Sequence, residues 1–307
     1  MILGGVEQWV LVRGRRANAP ILLKIHGGPG QAEMPTIDMN AQLEEHFLVV
    51  EWDQRGAGKS AAAVEPRAAM TLDQIVADTV ELTQRLVAEF GPREVILLGH
   101  SWGSLVGVHA VHRRPDLYAA FVSTGQIASF ADGQRAAHAF AVAEAEHRSH
   151  ASASTALATI ASPPYLGAEG LASWRRCVKW LGEFGAIWHQ PETFRPVRWM
   201  VASPEYSWPE KLRFTKAATR SFELLYDDLA RADLCTSHTE LDVPVFMAVG
   251  RHDRMAPPDV AERYFTVLTA PHKEWVWFEE SGHFPQWEEG PAFNQLLIEN
   301  VLRVSTT

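Results

Sequence analysis

Three side chains of this chain could carry out acyl transfer together. Ser101 stands at the centre of Gly99-His100-Ser101-Trp102-Gly103, after the apolar run Val95-Ile96-Leu97-Leu98 and before a stretch, Ser104 to Arg113, that reads as helix. A serine at a sharp strand-to-helix turn sits in a strained backbone, and side chains at the flanking glycines would clash there. The helix start turns its amides toward a developing negative charge. The pentapeptide pattern alone arises by chance in roughly one chain in ten of this length, so its partners decide. Asp253 follows the run Val245-Phe246-Met247-Ala248-Val249-Gly250, and His283 follows Trp275-Val276-Trp277-Phe278. A loop aspartate is ordinarily solvated, and most of the 13 histidines must be inert. These two, like Ser101, fall just past the ends of strands, where open α/β sheets place their sites. Asp242 precedes the same strand as Asp253 and so lies at the wrong end.

The chemistry needs each of them. A serine hydroxyl is a poor nucleophile without a base in hydrogen-bond reach, which assigns His283. Asp253 would hold the imidazole in the right tautomer and stabilise the imidazolium. The tetrahedral oxyanion needs two preorganised N–H donors. One is expected from the backbone of Trp102. The other is expected from His26-Gly27-Gly28-Pro29-Gly30, at Gly28 with Gly27 adjacent.

The elements that must position these residues are legible as alternating strands and helices. Trp9 to Val12, Ile21 to His26, Phe47 to Asp53, Val95 to Leu98, Phe121 to Thr124, a strand from Val243 and Glu274 to Phe278 read as strands. Thr71 and Gln74 form a capping-box pattern opening a helix to about Phe90. Asp259 to Leu268 and Pro291 to Leu302 read as further helices. Gln126 to roughly Thr236 shows no strand alternation; it is Ala-rich, then Trp-rich (Trp174, Trp180, Trp188, Trp199, Trp208). The expected organisation is therefore an α/β core over 1–125 and 237–307, with a mostly parallel sheet, and a helical lid over 126–236. Within the lid His138, His147 and His150 read as solvated rather than metal-binding. Gln54 to Ser60 imitates part of a phosphate loop, but Asp53 stands where that motif requires glycine, so a turn is expected.

The net charge of −9 argues against nucleic acid and anionic membranes as partners. Two cysteines, Cys177 and Cys235, are not a disulfide framework and suit a reducing compartment. Met1 to Val12 lacks the basic-then-apolar pattern of a signal peptide. No apolar run approaches the roughly 20 residues that span a bilayer. A cytoplasmic enzyme using no metal or cofactor on a small substrate is expected, its oligomeric state open.

Together these motifs resemble the α/β-hydrolase superfamily, and within it the proline iminopeptidase family. His26-Gly27-Gly28-Pro29-Gly30, Trp52-Asp53-Gln54-Arg55-Gly56-Ala57-Gly58-Lys59-Ser60 and Gly99-His100-Ser101-Trp102-Gly103-Ser104 are similar to its three N-terminal signatures. The resemblance implies release of an N-terminal residue, typically proline, with no cofactor, and lid glutamates that hold the substrate's ammonium. The lid departs from the pattern: a Glu-Asn-His-Tyr-type motif is absent, and Arg254 follows Asp253 where some smaller relatives carry an acid. Glu144, Glu146, Glu183, Glu205 and above all Glu223 are the acidic candidates. The alternative is a carboxylesterase or lactonase for a neutral, apolar molecule, for which aromatic lid residues such as Trp188 and Trp208 would supply walls.

Overall fold

The computed structural model describes residues 1–64, 69–190 and 196–305, the side chains of 196 and 197 excepted. A short hairpin, β1 (Ile2–Leu3) and β2 (Val6–Glu7), precedes the main sheet. That sheet holds β3 (Trp9–Arg13), β4 (Ile21–Ile25), β5 (Leu48–Asp53), β6 (Val95–His100), β7 (Ala120–Thr124), β8 (Val245–Gly250) and β9 (Lys273–Phe278). Its order is β3-β5-β4-β6-β7-β8-β9. β3 runs antiparallel to β5 and every other pair is parallel.

The inner strands are apolar on both faces, as a sheet covered on both sides must be. Leu23, Val50, Leu97, Phe121 and Met247 point one way into the larger core. Leu22, Val49, Ile96, Val122 and Phe246 point the other way, into a second core closed by Leu43, Phe293 and Leu297. Helix α1 (Leu72–Phe90) and helix α2 (Trp102–Arg113) cover the first face. Thr71 caps α1 by accepting from the Gln74 N–H at 3.1 Å, but the reciprocal half of the capping box is not made. The Gln74 amide instead donates to Asp78, part of the buried pair of Asp78 with Arg55.

Between β7 and β8 the described residues add no strand to the main sheet. They form α3 (Phe130–His147), α4 (Ala151–Ala158), α5 (Gly167–Glu183), α6 (Pro196–Ala202), α7 (Trp208–Ala230) and α8 (Leu234–Ser237). Trp174, Cys177 and Trp180 are buried in this insert. His138 and His150 are half-buried rather than solvated, because their rings pack edge-on against Tyr165 and Trp180. His147 is exposed. The chain ends with α9 (Pro258–Val267), α10 (Pro285–Glu288), α11 (Gly290–Gln295), a π-helical turn (Leu296–Val301) and α12 (Leu302–Ser305). Among the described residues no helix is long and apolar enough to cross a membrane, and no three His, Cys, Asp or Glu side chains group as metal ligands would.

The insert meets the core at the glycine-rich loop after β5. Tyr206 donates its hydroxyl to Asp53 Oδ2 at 2.6 Å, and the Lys59 N–H reaches the same oxygen at 2.7 Å. The Lys59 ammonium bonds the Glu205 carbonyl and Glu210. Ser221 of α7 donates to the Gly56 carbonyl. The loop is thus the turn expected, used as a dock.

Asp53 is fully buried, and among the described residues its Oδ1 has no donor. Burial pushes the carboxyl up to about 7, against the Tyr206 and Lys59 hydrogen bonds. An unfolded Asp releases its proton near pH 4. Between about pH 4 and 7 the folded state therefore holds a proton the unfolded chain has lost, and this group's contribution makes stability fall as pH rises. Asp53→Asn keeps an acceptor for Tyr206 and Lys59 and removes the titration. The variant is expected to gain on the parent by about 4 kcal/mol at pH 8 and to lose that advantage at pH 4. Chemical denaturation of both proteins across that range checks it; parallel curves would contradict the assignment.

Candidate active site

Ser101 lies between the last residue of β6 and the first of α2, at φ 53°, ψ −118°. A non-glycine residue there is strained. The strain is held by three neighbours. The Ser101 N–H donates to the Thr124 carbonyl at 2.9 Å. The Ser101 carbonyl accepts from the Ser104 hydroxyl at 2.6 Å. Helix α2 presses against β4 so closely that a Cβ on Gly103 would stand 1.9 Å from the Ile25 carbonyl oxygen. Glycine at 103 is required by that approach.

Asp253 and His283 meet behind this turn. His283 Nδ1 lies 2.8 Å from Asp253 Oδ2, and both side chains are buried. Asp253 Oδ1 accepts from the Met255 and Ala256 N–H groups, each at 2.8 Å, so the carboxylate is fixed at both oxygens. The acceptor at Nδ1 places the imidazole proton there and leaves Nε2 as the basic nitrogen. The ring packs on Gly125, directly after Thr124, where a Cβ would come within 2.7 Å of His283 Cε1. Asp242 is exposed and precedes β8, at the far end of the sheet.

The expected oxyanion donors divide. The N–H of Trp102 is at the first position of α2, where a helix has no internal acceptor for it. Its indole donates to Gln54 Oε1 at 3.1 Å. Gly28 adopts φ +116°, a conformation reserved for glycine. Gly27 lies against Ser101, but its N–H is already taken by Glu33 Oε1 at 3.2 Å. That corrects the expectation of Gly27 as a free donor and leaves Gly28 as the loop's candidate.

Gln54 is a residue that motif reading passes over. Its backbone N–H donates to His26 Nε2, its side-chain amide to the His26 carbonyl, and its oxygen holds Trp102. It therefore joins the two loops that carry the candidate oxyanion donors. Burial pushes His26 down to about 4, so near neutral pH it is the neutral acceptor Gln54 needs.

The substrate-contact residues expected in the insert are placed differently. Glu223 pairs with Arg175 at 2.9 Å, both exposed, which removes it from the site. Glu144 pairs with Arg148 and Glu183 with Lys179, while Glu146 is exposed. The half-buried Glu205 meets the Lys59 dock through its backbone carbonyl. Trp208 is 65 % exposed, with the Lys211 ammonium over its ring. Trp188 is near the candidate base: it stacks on Phe284, the residue after His283, at 3.7 Å. Its segment runs along the loops that carry Asp253 and His283. The Ile187 carbonyl accepts from the His283 N–H at 2.8 Å, and the Ala186 carbonyl from the Arg254 N–H at 3.0 Å. Glu288 ties the same segment down, accepting from the His189, Gln190 and Gly282 N–H groups. The Arg254 guanidinium lies over Phe140 of the insert.

Residues 21–289 match the family model described as serine aminopeptidase, S33. The chain belongs to that family. Among its relatives is Probable aminopeptidase YbaC of Bacillus subtilis (strain 168), 30% identical over 296 residues, covering 96% of this chain and 93% of that protein. A proline iminopeptidase of Clostridium botulinum is 26% identical over 287 residues, covering 91% and 89%. In fold, this S33 member superposes on the proline iminopeptidase-related protein TTHA1809 of Thermus thermophilus with a TM-score of 0.69 at 23% identity, over 98% and 95% of the two chains. The chain is a hydrolase of the α/β-hydrolase fold, as its motifs imply.

Proposed function

We propose that this hydrolase cleaves an amide or ester bond of a small substrate through an acyl-enzyme on Ser101, and that the helical insert acts as its lid. The observation that carries the reading is the buried 2.8 Å bond between His283 and Asp253 at the same sheet edge as the strained Ser101. His283 Nε2 takes the serine proton as Oγ attacks the carbonyl carbon. The oxyanion is met by the N–H groups of Trp102 and Gly28. Collapse expels the amine or alcohol, which takes the proton back from Nε2, and water then repeats the sequence on the ester.

The named relatives support an aminopeptidase, releasing an N-terminal proline or another residue. One structural observation favours a second reading, an esterase or lactonase for a neutral substrate. None of the five lid glutamates weighed for an ammonium is placed in the site by its contacts. A paired panel separates the two: aminoacyl p-nitroanilides, with N-acetylated prolyl anilide as control, against short-chain p-nitrophenyl esters. Aminoacyl turnover that acetylation destroys establishes the exopeptidase. Ester turnover alone establishes the neutral-substrate enzyme, and turnover of neither class would sink both.

A further inference from the structure

His100, the residue before the candidate nucleophile, faces a hydrogen-bond acceptor with each ring nitrogen. Nδ1 lies 2.6 Å from Glu33 Oε1, and Nε2 lies 3.2 Å from the backbone carbonyl oxygen of His283. A carbonyl can only accept, so Nε2 must carry a proton. The same Glu33 oxygen accepts the Gly27 N–H at 3.2 Å. If Glu33 is ionised, Oε1 accepts both of these bonds, and Nδ1 would carry a second ring proton.

We propose that Glu33 and His100 form a second carboxylate–imidazolium pair, which acts as a positioning device that holds His283 by its backbone. This rests on the triad reading above. His283 is then fixed on every side. Its N–H donates to Ile187, its carbonyl accepts from His100, its Nδ1 is bound to Asp253 and its ring lies against Gly125.

The surroundings fit the charge. Both side chains are buried. Burial would push the Glu33 carboxyl up, but His100, Lys24 and His26 together hold it below the usual carboxylate range. Lys24 is in turn paired with the buried Glu51. Toward the site the His100 ring faces His283, with ring centroids 5.0 Å apart, and Asp253 beyond it; Phe284 and Trp287 close the apolar side. The cavity under the pair, bordered by Lys24, Glu33, His100, Thr124 and Gln286, is no larger than one water, so Glu33 is no substrate-binding carboxylate.

Glu33→Gln separates this pair from a merely packed one. The amide oxygen can replace Oε1 toward Gly27 and Nδ1–H, but with no negative charge beside it His100 is expected to keep only that one ring proton. Its Nε2 lone pair then confronts the His283 carbonyl, and that bond is lost.

The first measurement is ¹⁵N-resolved NMR of the histidine side chains at pH 8, with His100 assigned by its disappearance in His100→Gln. Two ring N–H signals are expected for His100 in the wild type and one in Glu33→Gln. A single ring N–H in the wild type would overturn the proposal. The second is inactivation by a fluorophosphonate together with turnover of p-nitrophenyl acetate. Both variants are expected to be slower by about 10- to 100-fold in the acylation step, with KM little changed. Wild-type rates in both folded variants would overturn the positioning role while leaving the triad standing. Failure of the probe to label wild-type protein at Ser101 would instead remove the triad reading, and this inference with it.

Discussion

Ser101→Ala is expected to reduce kcat by about 10⁶-fold and to leave the melting temperature close to the parent's. The two halves of that expectation come from different atoms. The turn is held by the backbone N–H and carbonyl of residue 101, through Thr124 and Ser104, and alanine keeps both. The φ of 53° strains serine and alanine alike, so no backbone energy is released or added. What disappears is the one atom on which an acyl group could form. Hydrolysis that remained would come from the oxyanion donors acting on bound substrate with water as nucleophile. The check is turnover of the best substrate from the chromogenic panel, with circular dichroism of the same preparation. Activity within tenfold of the parent would dismiss Ser101 as the nucleophile.

Much of the fold was legible because its strands are buried on both faces and read as unbroken apolar runs. Ile21 to Ile25 and Val245 to Gly250 are short, bounded by turn residues and separated by helical periodicity. The candidate site was legible for a related reason. Ser101, Asp253 and His283 each stand within a few residues of a strand end, so the topology alone brings them to one edge.

What stayed hidden depends on long-range partners that local pattern does not carry. Glu223 and Trp208 are the residue types a substrate-binding lid needs, but the helix they share, α7, turns both to the surface. The capping-box pattern at Thr71 failed in its second half because the Gln74 side chain is engaged as a donor to Asp78 rather than turned back to accept the Thr71 N–H. Gln54 and Glu33 matter through bonds to residues 28 and 67 positions away, and no spacing rule announces such bonds. Trp188 was singled out as one of several aromatics; its stack on Phe284 requires the insert to pass over the His283 loop, a fact of tertiary packing.

Asp253→Asn is expected to lower kcat by about 10⁴-fold, though the change replaces one oxygen by a nitrogen of nearly equal size. The reason lies in the two backbone N–H groups, of Met255 and Ala256, that point at Oδ1. Only an oxygen can accept from them, so the oxygen of the new side-chain amide must take that place. The amide nitrogen then occupies the position of Oδ2, 2.8 Å from His283 Nδ1. An NH₂ group donates, and it can face Nδ1 only if Nδ1 has lost its proton. The neutral imidazole is thereby forced to carry its hydrogen on Nε2, the nitrogen that should take the proton from Ser101. Turning the amide over would set its N–H atoms against two N–H donors and leave both unbonded in a buried site, costing about 1–3 kcal/mol for each. The variant should therefore bind substrate with KM near the parent's and acylate slowly. Steady-state kinetics joined to the rate of fluorophosphonate labelling tests this. A kcat within tenfold of the parent would mean that Asp253 does not set the tautomer of His283, and the base would have to be sought elsewhere.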